Sequence, residues 1–153
     1  MPTEPKLSFV TNLEVAVAAP IAIGETAEGL RRIVPIIGGR ADGPRLSGRI
    51  LAAGADYQLI KPDGYTSLDA RYAIETHDGA LIYIVNSGVR YGPPEVMARI
   101  TRGEAVDPAL VYFRSTPRFE TAAPAYLALT RPLFIASGAR HPDRVELSVF
   151  EVE

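Results

Sequence analysis

Glycine and proline punctuate this chain from end to end, and the runs they leave between them are strand-length. There are thirteen of each among 153 residues, above the combined average of roughly 12%. They do not gather into a linker, so they read as turns and bulges of one fold rather than a boundary between two. The intervening runs fall at 7–19, 31–37, 45–53, 57–61, 66–76, 81–88, 111–120, 133–137 and 144–152. A break is expected at Gly54-Ala55-Asp56, where turn-type residues separate the third and fourth runs.

The sharpest local pattern is a hairpin. In 66–76, Leu68, Ala70, Tyr72 and Ile74 alternate with Asp69, Arg71, Ala73 and Glu75, the period of a strand with two unlike faces. His77-Asp78-Gly79 supplies the turn, since Asp-Gly accepts the positive φ that tight hairpins need. The returning run puts Tyr83 and Val85 on one face and Ile82, Ile84 and Asn86 on the other. One short helix is expected at 93–102, where proline opens the segment, Glu95 lies in the first turn and Val96 and Ile100 are four apart. A helical turn is expected at 124–130. Pro117 falls inside a strand and favours an edge or bulge there.

About eight strands spaced near ten residues, without regular crossover helices, imply an all-β protein. The expected architecture is a closed or nearly closed antiparallel barrel of about eight strands with one or two short helices, forming one domain over 1–153. Eight strands leave an interior that side chains fill or that holds one small ligand. Alternation leaves two assignments open for the hairpin. Asp69, Arg71 and Glu75 point into the barrel, or they point to solvent in the ordinary way.

Composition excludes several function classes. With no cysteine, disulfides, thiolate metal sites and a cysteine nucleophile are ruled out. The net charge is −2 with both signs well mixed, so no basic stripe invites nucleic acid. The apolar segment 15–23 contains Pro20 and is too short to span a bilayer. Residues 1–6 carry Glu4 and no basic cluster, so a signal peptide and a membrane partner are not expected, and the chain reads as cytoplasmic. His77 and His141, the only histidines, both adjoin turn residues and lack ligand spacing, so no metal site is expected. The glycines in IGETAEGLRR and at Gly38-Gly39 match neither phosphate-loop spacing, and tight turns or bulges account for them. Arg31-Arg32 reads as a solvated strand start.

A set of short motifs gives the chain a resemblance. IGGRADGPRLSG, with Gly38-Gly39 and Gly43-Pro44, is followed by Ala53-Gly54-Ala55-Asp56 and by Leu68-Asp69-Ala70-Arg71-Tyr72. Asp78-Gly79, Asn86-Ser87-Gly88, Tyr112-Phe113-Arg114, Phe119-Glu120-Thr121, Tyr126 and Gly138-Ala139-Arg140 complete the series. In this order, over nearly the whole chain, they resemble the DUF3237 (UPF0311) family of small bacterial and fungal proteins. The resemblance implies a calycin-like antiparallel barrel and adds little chemistry, because no general function is attached to the family. Tyr57 stands where relatives tend to have Trp, and Ala128 and Thr130 replace an expected Trp and Asn. If that last segment lines a pocket, its shape here is altered.

The residue types with chemistry to offer are Asp56, Asp69, Arg71, Asn86, Tyr112, Arg114 and Glu120. A desolvated Asp56 or Glu120 suits a general acid or base, and Tyr112 a donor to a developing oxyanion. Asp69, Arg71, Asn86 and Arg114 are the expected ligand-binding groups, the arginines as forks for an anion or carbonyl. Such a set suits cofactor-independent isomerisation, cyclisation or hydration of a carbonyl or aromatic metabolite held in the barrel interior. The same residues, paired with one another, also tie strands together. Two other readings stay open: a binding or carrier module without chemistry, and a structural homo-oligomer with a filled interior.

Overall fold

The computed structural model describes residues 1–153. Nine strands form in order: β1 (Leu7–Val17), β2 (Ile21–Thr26), β3 (Gly29–Asp42), β4 (Gly48–Ile60), β5 (Thr66–Thr76), β6 (Leu81–Tyr91), β7 (Tyr112–Thr121), β8 (Leu133–Arg140) and β9 (Arg144–Val152). Helix α1 (Pro94–Thr101) lies between β6 and β7, and 3-10 turns occupy Pro108–Leu110 and Pro124–Leu129. All nine strands belong to one antiparallel sheet, ordered β1-β9-β8-β7-β6-β5-β4-β3-β2. Pairing of β1 with β3 closes eight of them into a barrel. β2 is the extra strand: it lies along the first part of β3, Ile21 opposite Ile33, while β1 takes the later part from Val17 opposite Ile36.

The alternation of β5 resolves in the ordinary sense. Leu68, Tyr72 and Ile74 are buried inside, while Asp69, Arg71 and Glu75 point outward, Glu75 bonded to Arg49 at 3.0 Å. An aliphatic inner face saves more free energy than an inner row of charges that must all find partners. On β6, Ile82, Ile84 and Asn86 are inside. Gly79 carries the positive φ of the hairpin turn.

Three departures from the sequence reading have physical causes. Gly54 does not end a strand. It sits in a bulge, at φ +117° and against the Arg71 carbonyl, so close that a Cβ would overlap it, and β4 runs on through it. β2 has no buried residue and hence no alternating signal to read. Arg32, expected in solvent, shares an inward parity with Val34 and Ile36 and is buried. Pro117 falls where an edge was expected: β8 meets β7 only at Arg114–Ser137 and Ser115–Ala136, leaving that side of Pro117 unpaired.

The core fills one end of the barrel. Val10, Leu13, Leu46, Ile74, Ile82, Ile84 and Val149 are essentially inaccessible, and Phe119 meets Phe134 edge-on at 5.0 Å. Each such aliphatic side chain contributes about 1.5–3 kcal/mol by leaving water. No helix is long and apolar enough to cross a membrane.

Candidate functional site

Strand register places polar side chains in rows across the inner wall of the opposite end. One row runs Val34, Asp56, Ala70, Asn86 and Pro117. The next runs Arg32, Gln58, Leu68, Gly88 and Ser115, and the next Leu30, Ile60, Thr66, Arg90 and Phe113. Here the barrel is not filled. It encloses a cavity of about 300 Å³, bordered by these rows, by Tyr72, by Arg140 of β8 and by the last turn of α1. That volume is at the lower end for a small-ligand site.

Helix α1 is held across this end by its C-terminus. Arg32 Nη1 donates to Thr101 O at 2.9 Å, and Arg140 donates to Glu104 O at 2.6 Å and to Ile100 O at 3.4 Å. Carbonyls at a helix C-terminus lack intrahelical partners and carry partial negative charge, so guanidinium donors suit them. Val96, Met97 and Ile100 bury the apolar side of the helix.

Asp56 is the one carboxylate on the cavity wall. Gln58 Nε2 donates to it at 2.9 Å and the Asp69 backbone N–H at 3.1 Å. Burial raises its pKa, against the opposing pull of the Gln58 hydrogen bond and the Arg90 charge. Arg90 is 3% exposed, and its guanidinium lies over the Phe113 ring, 5.6 Å from the centroid. Burial lowers its pKa to about 10, opposed by Asp56 and reinforced by Arg140 and Arg32; it stays charged at neutral pH. Burial also pulls Arg32 and Arg140 down and pushes the Tyr72 phenol up. The Phe113 ring seats against Gly138, where a Cβ would come within 2.8 Å of it.

Several polar atoms at this end have no protein partner: Arg90 Nε, Arg32 Nε, Gln58 Oε1, Asn86 Oδ1, Ser115 Oγ and Tyr72 Oη. Buried groups left without partners are uncommon and expensive. Their concentration around one open space marks it as the candidate site.

Of the seven residues singled out from sequence, the cavity brings together Asp56 and Asn86. The other five are on the outer surface. Arg71 lies beside Asp69 at 3.6 Å, both substantially exposed. Tyr112 stacks on Tyr91 at 4.8 Å, with Arg114 above it, 5.2 Å from its centroid, and Glu120 is exposed on the same outward parity of β7. β7 buries Phe113, Ser115 and Phe119 instead, so its polar alternates face solvent. Ala128 and Thr130 are also exposed, away from the cavity, so the departures there do not reshape it. Sequence reading missed Arg32, Gln58, Tyr72, Arg90, Ser115 and Arg140. The available signal was parity: Arg90 continues the inward series of Ile82, Ile84 and Asn86.

A UPF0311 protein from Rhodopseudomonas palustris (strain TIE-1) is 46% identical over 144 residues, covering 94% of each chain. The crystal structure of a conserved protein of unknown function from the same species matches with a TM-score of 0.93 and 42% identity, covering 100% of both chains. A chain described as an enzyme from Penicillium herquei matches with a TM-score of 0.75 at 20% identity, covering 100% of this chain and 98% of that one, a likeness of fold alone. The model of DUF3237, described as a protein of unknown function, matches residues 5–152, and the chain belongs to that family.

Proposed function

We propose that the barrel binds a small organic molecule in its open end and that Asp56 acts there as acid and base on a carbonyl substrate, without a cofactor. The observation that carries this reading is a single carboxylate, raised in pKa by burial, on the wall of a cavity rimmed by unpartnered donors and acceptors. A base works best when its pKa lies near the working pH, and burial moves Asp56 in that direction. In an isomerisation, Asp56 takes a proton from the carbon beside the carbonyl. The C–H electron pair moves to the carbonyl oxygen, and Tyr72 Oη, which has no protein partner, donates to the oxyanion so formed. The proton then returns at a second carbon, so nothing is gained or lost overall. That a protein of this fold is described as an enzyme is compatible with the reading and carries no mechanism with it.

A binding or carrier role is the second reading. It is favoured by the two hydrogen bonds Asp56 already accepts, which give the carboxylate a structural use. The filled-barrel reading requires an interior without space, whereas this interior holds a cavity of about 300 Å³.

A thermal-shift screen of carboxylates, phenols and small cyclic ketones finds the ligand class. A compound at a hundred times its Kd raises Tm by roughly 5–10 °C. Turnover of the hits is then compared in wild type and Asp56→Asn. The acid–base reading expects bound substrate and a loss of about 10²-fold or more in kcat. Unchanged kcat in Asp56→Asn overturns it, and binding without turnover in wild type gives the carrier role.

A further inference from the structure

Four arginines and one carboxylate border the cavity wall, and the four are not equivalent: Arg102 is exposed and pairs with Glu104 at 2.7 Å. Arg32 and Arg140 spend donors on carbonyls at and just beyond the end of α1. Arg90 spends none: its Nε has no partner, and no hydrogen bond or ion pair ties its guanidinium to a neighbouring side chain or carbonyl. It rests on the Phe113 ring and is 3% exposed. Asp56, the carboxylate near enough to favour its charge, is already occupied by Gln58 and by the Asp69 N–H. A buried guanidinium with five donors and no acceptor is among the costliest things a fold can hold. Such costs concentrate at sites whose missing partner is a ligand.

The partner that fits has one flat acceptor face. A guanidinium fork meets a carboxylate with two parallel hydrogen bonds. Phosphate sites commonly add backbone N–H groups or a helix N-terminus, yet the helix at this cavity presents its C-terminal carbonyls. Those carbonyls and Asp56 favour a single negative charge over two. Beside Arg90 lies the Phe113 ring, elsewhere the cavity wall is apolar at Val34, Ile36, Leu68 and Leu147, and the volume of about 300 Å³ suits a ring-sized body.

We propose that Arg90 is the anion-binding residue of the open end, and that the ligand is a compact monocarboxylate whose apolar ring or chain lies along Phe113. The proposal rests on the reading of the cavity as a ligand site and adds to it the charge and orientation of what binds.

The test uses benzoate, benzamide and phenyl phosphate as probes of one ring size, titrated calorimetrically into wild type, Arg90→Met and Arg90→Gln. Wild type is expected to bind benzoate at least about tenfold more tightly than benzamide, or about 1.4 kcal/mol. Both variants are expected to bring the two ligands within about threefold by weakening benzoate alone. Retained benzamide binding shows that a variant's cavity is intact. Equal affinity for benzoate and benzamide in wild type overturns the anion site while leaving the ligand cavity standing, as does an unchanged preference in both variants. Phenyl phosphate binding more tightly than benzoate overturns the carboxylate assignment. Binding of none of the three removes the cavity reading and this proposal with it.

Discussion

The two ends of the barrel are made by the same strands and treat their interiors in opposite ways. β6 contains the contrast by itself: its inward series begins Ile82 and Ile84, buried among the core aliphatics, and continues Asn86, Gly88 and Arg90 along the cavity. At the first end the inward side chains are mainly aliphatic and aromatic, and buried hydroxyls such as Thr11 have protein partners. At the second, a backbone of equal regularity carries groups whose partners are absent from the protein. Closing a barrel therefore does not decide whether it is filled; residue type at the inward positions does.

This contrast can be broken by substitution. Ile82 is wholly buried in the filled end, so Ile82→Ala is expected to lower unfolding free energy by about 2–5 kcal/mol in urea. A cost well under 1 kcal/mol indicates that this end is looser than its burial implies.

In the open end, the expected change has the opposite sign. Because burial raises the pKa of Asp56, the native state keeps a proton that the unfolded chain has already lost. The stability that this proton confers is complete at low pH and falls away as pH rises from the ordinary carboxylate range through the raised value. Asp56→Asn removes that decline, so at neutral pH the variant is expected to be the more stable protein. Urea unfolding of both across pH 4–8 reads this directly, and a gap that narrows with rising pH contradicts it.

The smallest effect belongs to the outer wall. Arg71 is exposed beside Asp69, and exposed pairs contribute little. Arg71→Ala is expected to leave both the denaturant midpoint and ligand binding unchanged. A marked loss of stability requires the buried ion pair that the inward assignment of β5 implied.

How far the sequence can be read follows from the range of each interaction. The β5–β6 hairpin was visible because its turn and alternation are local, and Asp78-Gly79 stands where a turn must. Helix α1 announced itself through Pro93, Glu95, Val96 and Ile100, and begins one residue later, at Pro94. Asp56 and Asn86 were legible as candidates, and their row across β4, β5 and β6 was not, because it depends on register. Arg32 was obscured by Arg31, since two adjacent arginines look alike until one strand face is known to be inside. Arg71, Arg114 and Glu120 were the opposite error: chemically attractive residues on positions whose neighbours, such as Tyr72, Phe113 and Phe119, claimed the interior.

The β1–β3 and β1–β9 seams have a consequence for synthesis. Among the strands of the barrel β1 is made before the others and its partner β9 after them; Ser148 Oγ donates to Asn12 Oδ1 across 136 residues of chain. The strands between can pair as a meander while translation proceeds, yet both edges stay open until β9 arrives. Contacts of such long sequence separation slow folding, so a nascent chain spends its most aggregation-prone interval as an unclosed sheet, and the last strand to be made is the one that ends it.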